Sequence, residues 1–238
     1  MAIKTRFAST RFTSPTYKIC LLNLAVIALT VAIATPFSQL YRQFEDGGFI
    51  TYFSVIQLLI ASYFTGQIFK RRSLGRQHPW RSPVAVWAIM SLGFSFLALD
   101  DLLMIHEFID KSIHKLWQIQ ETGWSDRIDD LIIGLYGVLA IWLLFTYRKE
   151  LKRYLFVTPL VLVAFVLLFV MVGIDAVTNR DDVMLHVMQL SADTVAYIQS
   201  WIFVVEDGLK VIVEGLLIAA IYQCRQKVFS ESNLASEN

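Results

Sequence analysis

Apolar residues in this chain run in long blocks, not in the alternating or one-sided patterns of soluble strands and helices. Six blocks of about 20 residues carry few charges: roughly 17–37, 49–69, 84–105, 128–147, 155–176 and 201–222. A helix rising about 1.5 Å per residue needs that length to cross a hydrocarbon core of about 30 Å. Helices apolar on every side belong in a membrane or a large core. The pattern predicts an all-α fold, a polytopic membrane protein built as a six-transmembrane-helix bundle over 17–222. Residues 1–18 read as a basic N-terminus and 223–238 as a disordered tail.

Composition agrees, with 56% hydrophobic residues and a mean hydropathy of +0.55. Soluble domains of this size are not that apolar. Basic residues then orient the bundle. The N-terminus, KRRSLGRQHPWR after the second block, RKELKR after the fourth and the tail together hold 15 Lys and Arg. The other three connections hold 5, and Lys210 lies inside the sixth block. The positive-inside rule reads this as both termini cytoplasmic, in a plasma membrane. A net charge of +1 gives no field for nucleic acid. Cys20 and Cys224 fall on the reducing side, where no disulfide is expected. Ala32-Ile33-Ala34 has the small-residue spacing of a signal-peptidase site, but the long first block favours an uncleaved anchor.

Aromatic and small residues fit the frame. Trp80, Trp87, Tyr147, Tyr154 and Trp201 flank block ends, as interfacial aromatics do. Gly134 and Gly137, and Gly208, Gly215 and Ala219, form small-residue faces for close helix approach. Ser54, Gln57, Ala61 and Thr65 make a stripe on the second span, with Ser91 and Ser95 on the third, suited to hydrogen bonds between helices. Met184–Gln199 is too polar to span and reads as an interfacial amphipathic segment.

Acidic residues break this apolar background in two places: FLALDDLLMIHEFIDKSIH, Phe96–His114, and VVEDGLKVIVEG, Val204–Gly215. Counted from the outer ends of their spans, Asp100 and Asp101 lie about 7 Å deep, and so do Glu206 and Asp207. Asp129, Asp130 and Asp175 close neighbouring spans at the same boundary, and Asp181, Asp182, His186 and Asp193 lie in the outer connections. Asp100, Glu107 and His114 recur every seven residues, with Asp110 between, and share a face if one helix runs from Gly93 to Gly123. Lys210 follows Glu206 by one turn and suggests a buried ion pair. Charges at such depth cost about 2.5–3.5 kcal/mol each and need partners, protons, water or a metal.

Carboxylates with a few histidines on adjacent helices are how bundles bind divalent metals. The expected ligands are Asp100, Asp101, His106, Glu107, Asp110, His114, Glu206 and Asp207. Oxygen-rich donors favour Zn, Mn, Fe, Mg or Ca over copper. Metal-bound water beside a spare carboxylate would give hydrolysis of a lipid-like substrate, with Asp100, Glu107, Glu206 and Asp207 as the catalytic set. Two alternatives stand beside it: an ion- or proton-coupled transporter or channel using the same acids, and a non-catalytic sensor or assembly partner. Only Gln57, Lys210 and Glu214 extend the polar groups inward, which favours a dead-end site over a conduit.

LDDLLMIHE at the end of one span and VVEDGLKVIVEG in the last resemble a group of small bacterial multi-span membrane proteins. These carry an LDE and HE motif and a C-terminal EE…G helix. Asp101 and Asp207 stand where that pattern has Glu. The resemblance implies that Asp100–Glu107 and Glu206–Gly215 act as a unit, and implies no activity.

Overall fold

A computed structural model describes residues 14–37, 39–45, 47–117, 128–178 and 191–236. Every regular element among them is helical. In order these are α1 (Ser14–Ala34), α2 (Leu40–Phe44), α3 (Phe49–Arg72), α4 (Ala85–Leu103), α5 (Ile105–Trp117), α6 (Ile128–Thr146), α7 (Arg148–Leu151), α8 (Thr158–Thr178) and α9 (Ala192–Ser236). Among the described residues, Pro15–Ala34, Leu40–Arg72, Ala85–Leu103 and Arg148–Ile174 are long and apolar enough to cross a membrane. They fall on the first, second, third and fifth sequence blocks. A shorter apolar helix, Gly134–Thr146, falls on the fourth. The sixth block lies within α9, where Glu206, Asp207, Lys210 and Glu214 interrupt the apolar run.

The arrangement is turned inside out relative to a soluble protein. Leu22, Leu29, Tyr63, Leu92, Val138 and Phe169 face outward. Asn23, Ser54, Gln57, Thr65, Asp100 and Glu214 are buried. Hydrocarbon accepts the first set, and the second set needs protein partners when no water is at hand. α3 sits between α4 and α9 and packs along both, while α1 and α8 pack on α9. The largest core cluster includes Ile68, Trp87, Tyr154, Leu216 and Ile221. Trp87 and Tyr154 meet edge to face inside it, 5.2 Å between centroids. These two are therefore core residues, whereas Trp80 is exposed as an interfacial residue would be.

Small residues set the α1–α9 contact. A Cβ at Gly208 would touch Ile27 at 3.7 Å, and one at Gly215 would run into the Asn23 amide. The Gly215 position thus has room for a neighbouring side chain only because it has none of its own. A Cβ at Gly134 or Gly137 meets nothing within 4 Å among the described residues.

Both ends of the bundle have their own chemistry. Gln223 donates to Thr16 at 3.0 Å, and Arg71 donates to Ser232 at 2.8 Å. Arg72 grips Glu150 with contacts of 2.9 and 3.1 Å, and Lys227 donates to the Arg153 carbonyl at 2.7 Å. The start of α1, the end of α3, α7 with the turn after it, and the end of α9 therefore meet at one end. These are the basic segments of the sequence.

Three local features depart from the sequence reading. The helix expected from Gly93 to Gly123 breaks at Met104, which has φ 51° and ψ 48°. Asp100 supports the break, because its Oδ1 accepts from the His106 backbone N–H at 2.9 Å. α5 therefore starts in a new direction, and Asp100, Glu107 and His114 do not share one helix face. α9 runs 45 residues, about 67 Å at 1.5 Å per residue. It takes in Ala192–Gln199 at its start and continues to Ser236, through the segment read as a disordered tail. Met184–Leu190 lies outside the described residues. Pro159 lies in the first turn of α8, where its missing N–H costs no helical bond.

Candidate functional site

A buried polar cluster joins α3, α4 and α9 one turn below the acidic end. α4 delivers Asp101 from its last turn, and α9 delivers Lys210 and Glu214 from one face. α3 places Ser54 between them. Lys210 Nζ stands 2.9 Å from Asp101 Oδ2. Ser54 Oγ lies 2.8 Å from the same Asp101 oxygen and 2.6 Å from Glu214 Oε1. One turn deeper, Gln57 donates to Asn23 Oδ1 at 3.4 Å, and the Asn23 amide donates to the Val211 carbonyl at 2.8 Å. The cluster thus ties four helices, α1, α3, α4 and α9, through side-chain polar groups.

Burial grades across it. The Lys210 side chain is 27% exposed, whereas Glu214 is 7% exposed and its Oε2 has no hydrogen-bond partner among the described residues. Contact with the surroundings is therefore through Lys210 and Asp101. Towards the basic end α3 and α9 continue with the buried apolar residues Ala61, Ile68, Leu216 and Ile221. A second polar knot, between Ser62, Ser91 and Ser95, joins α3 to α4 at 2.8–3.1 Å and contains no ionisable group.

The eight expected metal ligands do not gather. Asp100 Oδ1 lies 3.3 Å from His106 Nδ1. Asp110 Oδ1 lies 3.0 Å from His114 Nδ1, and Glu107 pairs with Lys111 at 2.5 Å. Asp101 is held by Lys210 and Ser54. Glu206 and Asp207 are half-buried on α9, about one turn nearer the acidic end than Lys210. Among the described residues no group of three His, Cys, Asp or Glu stands close enough to hold one ion. Each imidazole meets the carboxylate of a near neighbour in sequence, so the sevenfold repeat yields local pairs and not a shared centre. The side chains of Asp129, Asp130, Asp175 and Asp193, and all of Asp181, Asp182 and His186, lie outside what is described.

Two residues gain weight over the sequence reading. Ser54 looked like an ordinary interhelical hydrogen bonder, yet it is the hinge of the cluster. Asn23 was not singled out, although an amide in the middle of an otherwise apolar span has only protein partners open to it.

No curated protein and no solved structure matches the chain. The family model for DUF8692, a domain of unknown function, matches residues 19–224. That stretch includes Asn23, Ser54, Gln57, Asp101, Lys210 and Glu214, the whole of the buried cluster. The chain therefore belongs to the DUF8692 family.

Proposed function

We propose that the chain is a six-span inner-membrane protein with both termini cytoplasmic, and that its function is proton-linked, centred on Asp101, Ser54, Lys210 and Glu214. The meeting of four basic segments at one end supports the orientation. α6, with 19 residues, supplies the fourth span. α9 supplies the sixth, its charges finding partners inside the bundle.

One observation carries the proton. Ser54 has a single hydroxyl hydrogen but contacts two carboxylates, at 2.8 and 2.6 Å. It can donate to only one of them. Asp101 also accepts from Lys210, so it is the charged acceptor. The remaining contact is satisfied when Glu214 carries a proton. Charge favours the same state, because Asp101, Glu214 and Asp207 all act on Lys210 and one ammonium does not balance three carboxylates.

Losing that proton has a mechanical consequence. Lys210 precedes Glu214 by one helical turn, so an ionised Glu214 competes with Asp101 for the same ammonium. A Lys210 drawn towards Glu214 loosens the tie from α9 to α4. Proton occupancy is thus coupled to helix packing, with access from the acidic face through Lys210 and buried apolar residues beneath. A metal-dependent hydrolase would need several donors on one ion, and six of the eight expected ligands are instead paired, Asp100 with His106, Asp110 with His114, Glu107 with Lys111 and Asp101 with Lys210.

Infrared difference spectroscopy of the purified protein in lipid tests this reading. A protonated carboxyl band is expected at neutral pH, absent in Glu214→Gln and weakened in Asp101→Asn, where Lys210 is left to pair with Glu214. A spectrum without such a band, or a band untouched by Glu214→Gln, overturns it. Stoichiometric metal in the wild type, lost on Asp101→Asn, would return the site to metal chemistry.

A further inference from the structure

We infer that α5 is a lipid-facing segment, its apolar arc resting in the leaflet at the acidic end of the bundle. The sequence IHEFIDKSIHKLW divides into two arcs when wound at 3.6 residues per turn. Ile105, Phe108, Ile109, Ile113 and Leu116 occupy one arc. His106, Glu107, Asp110, Lys111 and His114 occupy the other.

The direction in which these arcs point is the informative part. A helix packed on a soluble domain turns its apolar arc to the protein and its polar arc to water. α5 does the reverse. Phe108 is 70% exposed and Leu116 78%, whereas His114 is 6% exposed. His106 and Asp110 are also mostly covered. The polar arc is satisfied within the protein, through Asp100 with His106 and Asp110 with His114. A hydrated medium would penalise the exposed arc, and hydrocarbon would not.

Continuity identifies the occupant. On α4, Phe96, Leu99, Leu102 and Leu103 face outward, on a helix long and apolar enough to cross a membrane. α4 has 19 residues, about 28 Å, which uses up the hydrocarbon thickness. The left-handed Met104 then turns the chain, and the exposed arc of α5 takes over directly from the exposed face of α4. A segment of 13 residues, about 20 Å, is too short to cross again. It fits the boundary between acyl chains and headgroups, where amphipathic helices lie. Lys111, which is exposed, is placed to reach the headgroups. The inference rests on the membrane reading but not on the proton at Glu214.

Site-directed spin labelling tests it in the full chain, reconstituted in phosphatidylethanolamine and phosphatidylglycerol vesicles. Nitroxides are attached at single cysteines replacing Phe108, Leu116 and Lys111, with Leu139 on α6 as a hydrocarbon control. The expected ratio of oxygen to nickel-chelate collisions at 108 and 116 is several-fold above that at 111 and approaches that at 139. Equal nickel access at 108, 111 and 116 overturns the inference, and nickel access at 139 instead overturns the span assignment of α6. Protection of 108 and 116 from both reagents also overturns it, because it marks a protein contact. Phe108→Trp, read by quenching with brominated lipids, gives a second measurement without a label, and an unquenched tryptophan counts against the proposal.

Discussion

Lys210 on α9 stands 2.9 Å from Asp101 on α4, although α3 lies between those two helices along most of their length. The pair closes a loop that Ser54 completes from α3. Removing the ammonium leaves two carboxylates with one hydroxyl between them. Lys210→Met is expected to cost about 1–3 kcal/mol, the cost of stranding a partly buried charged partner. Adding Asp101→Leu should recover much of that loss, since replacing both members of a buried pair with apolar groups is close to neutral. Thermal unfolding in detergent of the four species in this cycle measures the coupling. Additive single costs would mean that the pair contributes nothing.

Glu214 behaves differently if it is the protonated member. Glu214→Gln keeps the shape, supplies an N–H donor towards Ser54 and adds no charge. Its stability is expected to lie within about 1 kcal/mol of wild type, the range of one net hydrogen bond. Asp101→Asn removes the charge that Lys210 needs and should be the more damaging of the two isosteric changes. Denaturation curves of both variants at neutral pH provide the comparison. A Glu214→Gln variant less stable than Asp101→Asn would reverse the protonation assignment.

Most of the frame was legible in the sequence because hydrocarbon imposes length and hydropathy on a chain. The first, second, third and fifth blocks appear as long apolar helices, and the basic segments meet at one end. Depth counting set Asp100 and Asp101 level with Glu206 and Asp207, whereas Asp101 meets Lys210 and, through Ser54, Glu214, which lie deeper along α9. Pairing was not legible. Asp100 and Asp101 are adjacent, so a helix sends them in directions about 100° apart, and one caps α5 while the other meets Lys210. The break at Met104 was also hidden. No Gly or Pro marks it, and Asp100 stabilises it through a bond that spans six residues. Tyr154 and Trp87 look interfacial by position, but the turn around Tyr154 folds the first into the core against the second.

Glycines at similar places in the sequence should respond oppositely to a methyl group. Gly215→Ala puts a Cβ into the Asn23 side chain, whose amide is tied to Val211. The expected cost is about 1–3 kcal/mol, as for other overpacked interiors. Asn23→Ala should relieve the clash in the double variant, so the two changes together cost less than their sum. Gly134→Ala meets nothing within 4 Å among the described residues and should fall within about 0.5 kcal/mol of wild type, or gain slightly from helix propensity. Melting temperatures of wild type and the four variants decide this, and a Gly134→Ala as damaging as Gly215→Ala would contradict the described packing.

Met104 is the only non-glycine residue with positive φ among the described residues, at 51°. Its side chain therefore pays for a left-handed backbone at the corner where α4 becomes α5. Glycine adopts that conformation without a Cβ clash, so Met104→Gly removes the strain of about 1–2 kcal/mol. Against this, glycine has more freedom to lose from the unfolded chain, and the Met104 methyl leaves its place beside Gly47. The net expectation is a change within about 1 kcal/mol, far smaller than for a methionine lost from a core, which costs about 2–5 kcal/mol. Met104→Ile should be clearly destabilising, because a β-branched residue is poorly accommodated at positive φ. If α4 and α5 instead form one continuous helix in the membrane, the order inverts: glycine then costs about 1 kcal/mol in a helix interior and isoleucine is tolerated. Unfolding of the two variants under identical conditions, with helicity followed by circular dichroism, distinguishes a corner from a straight helix.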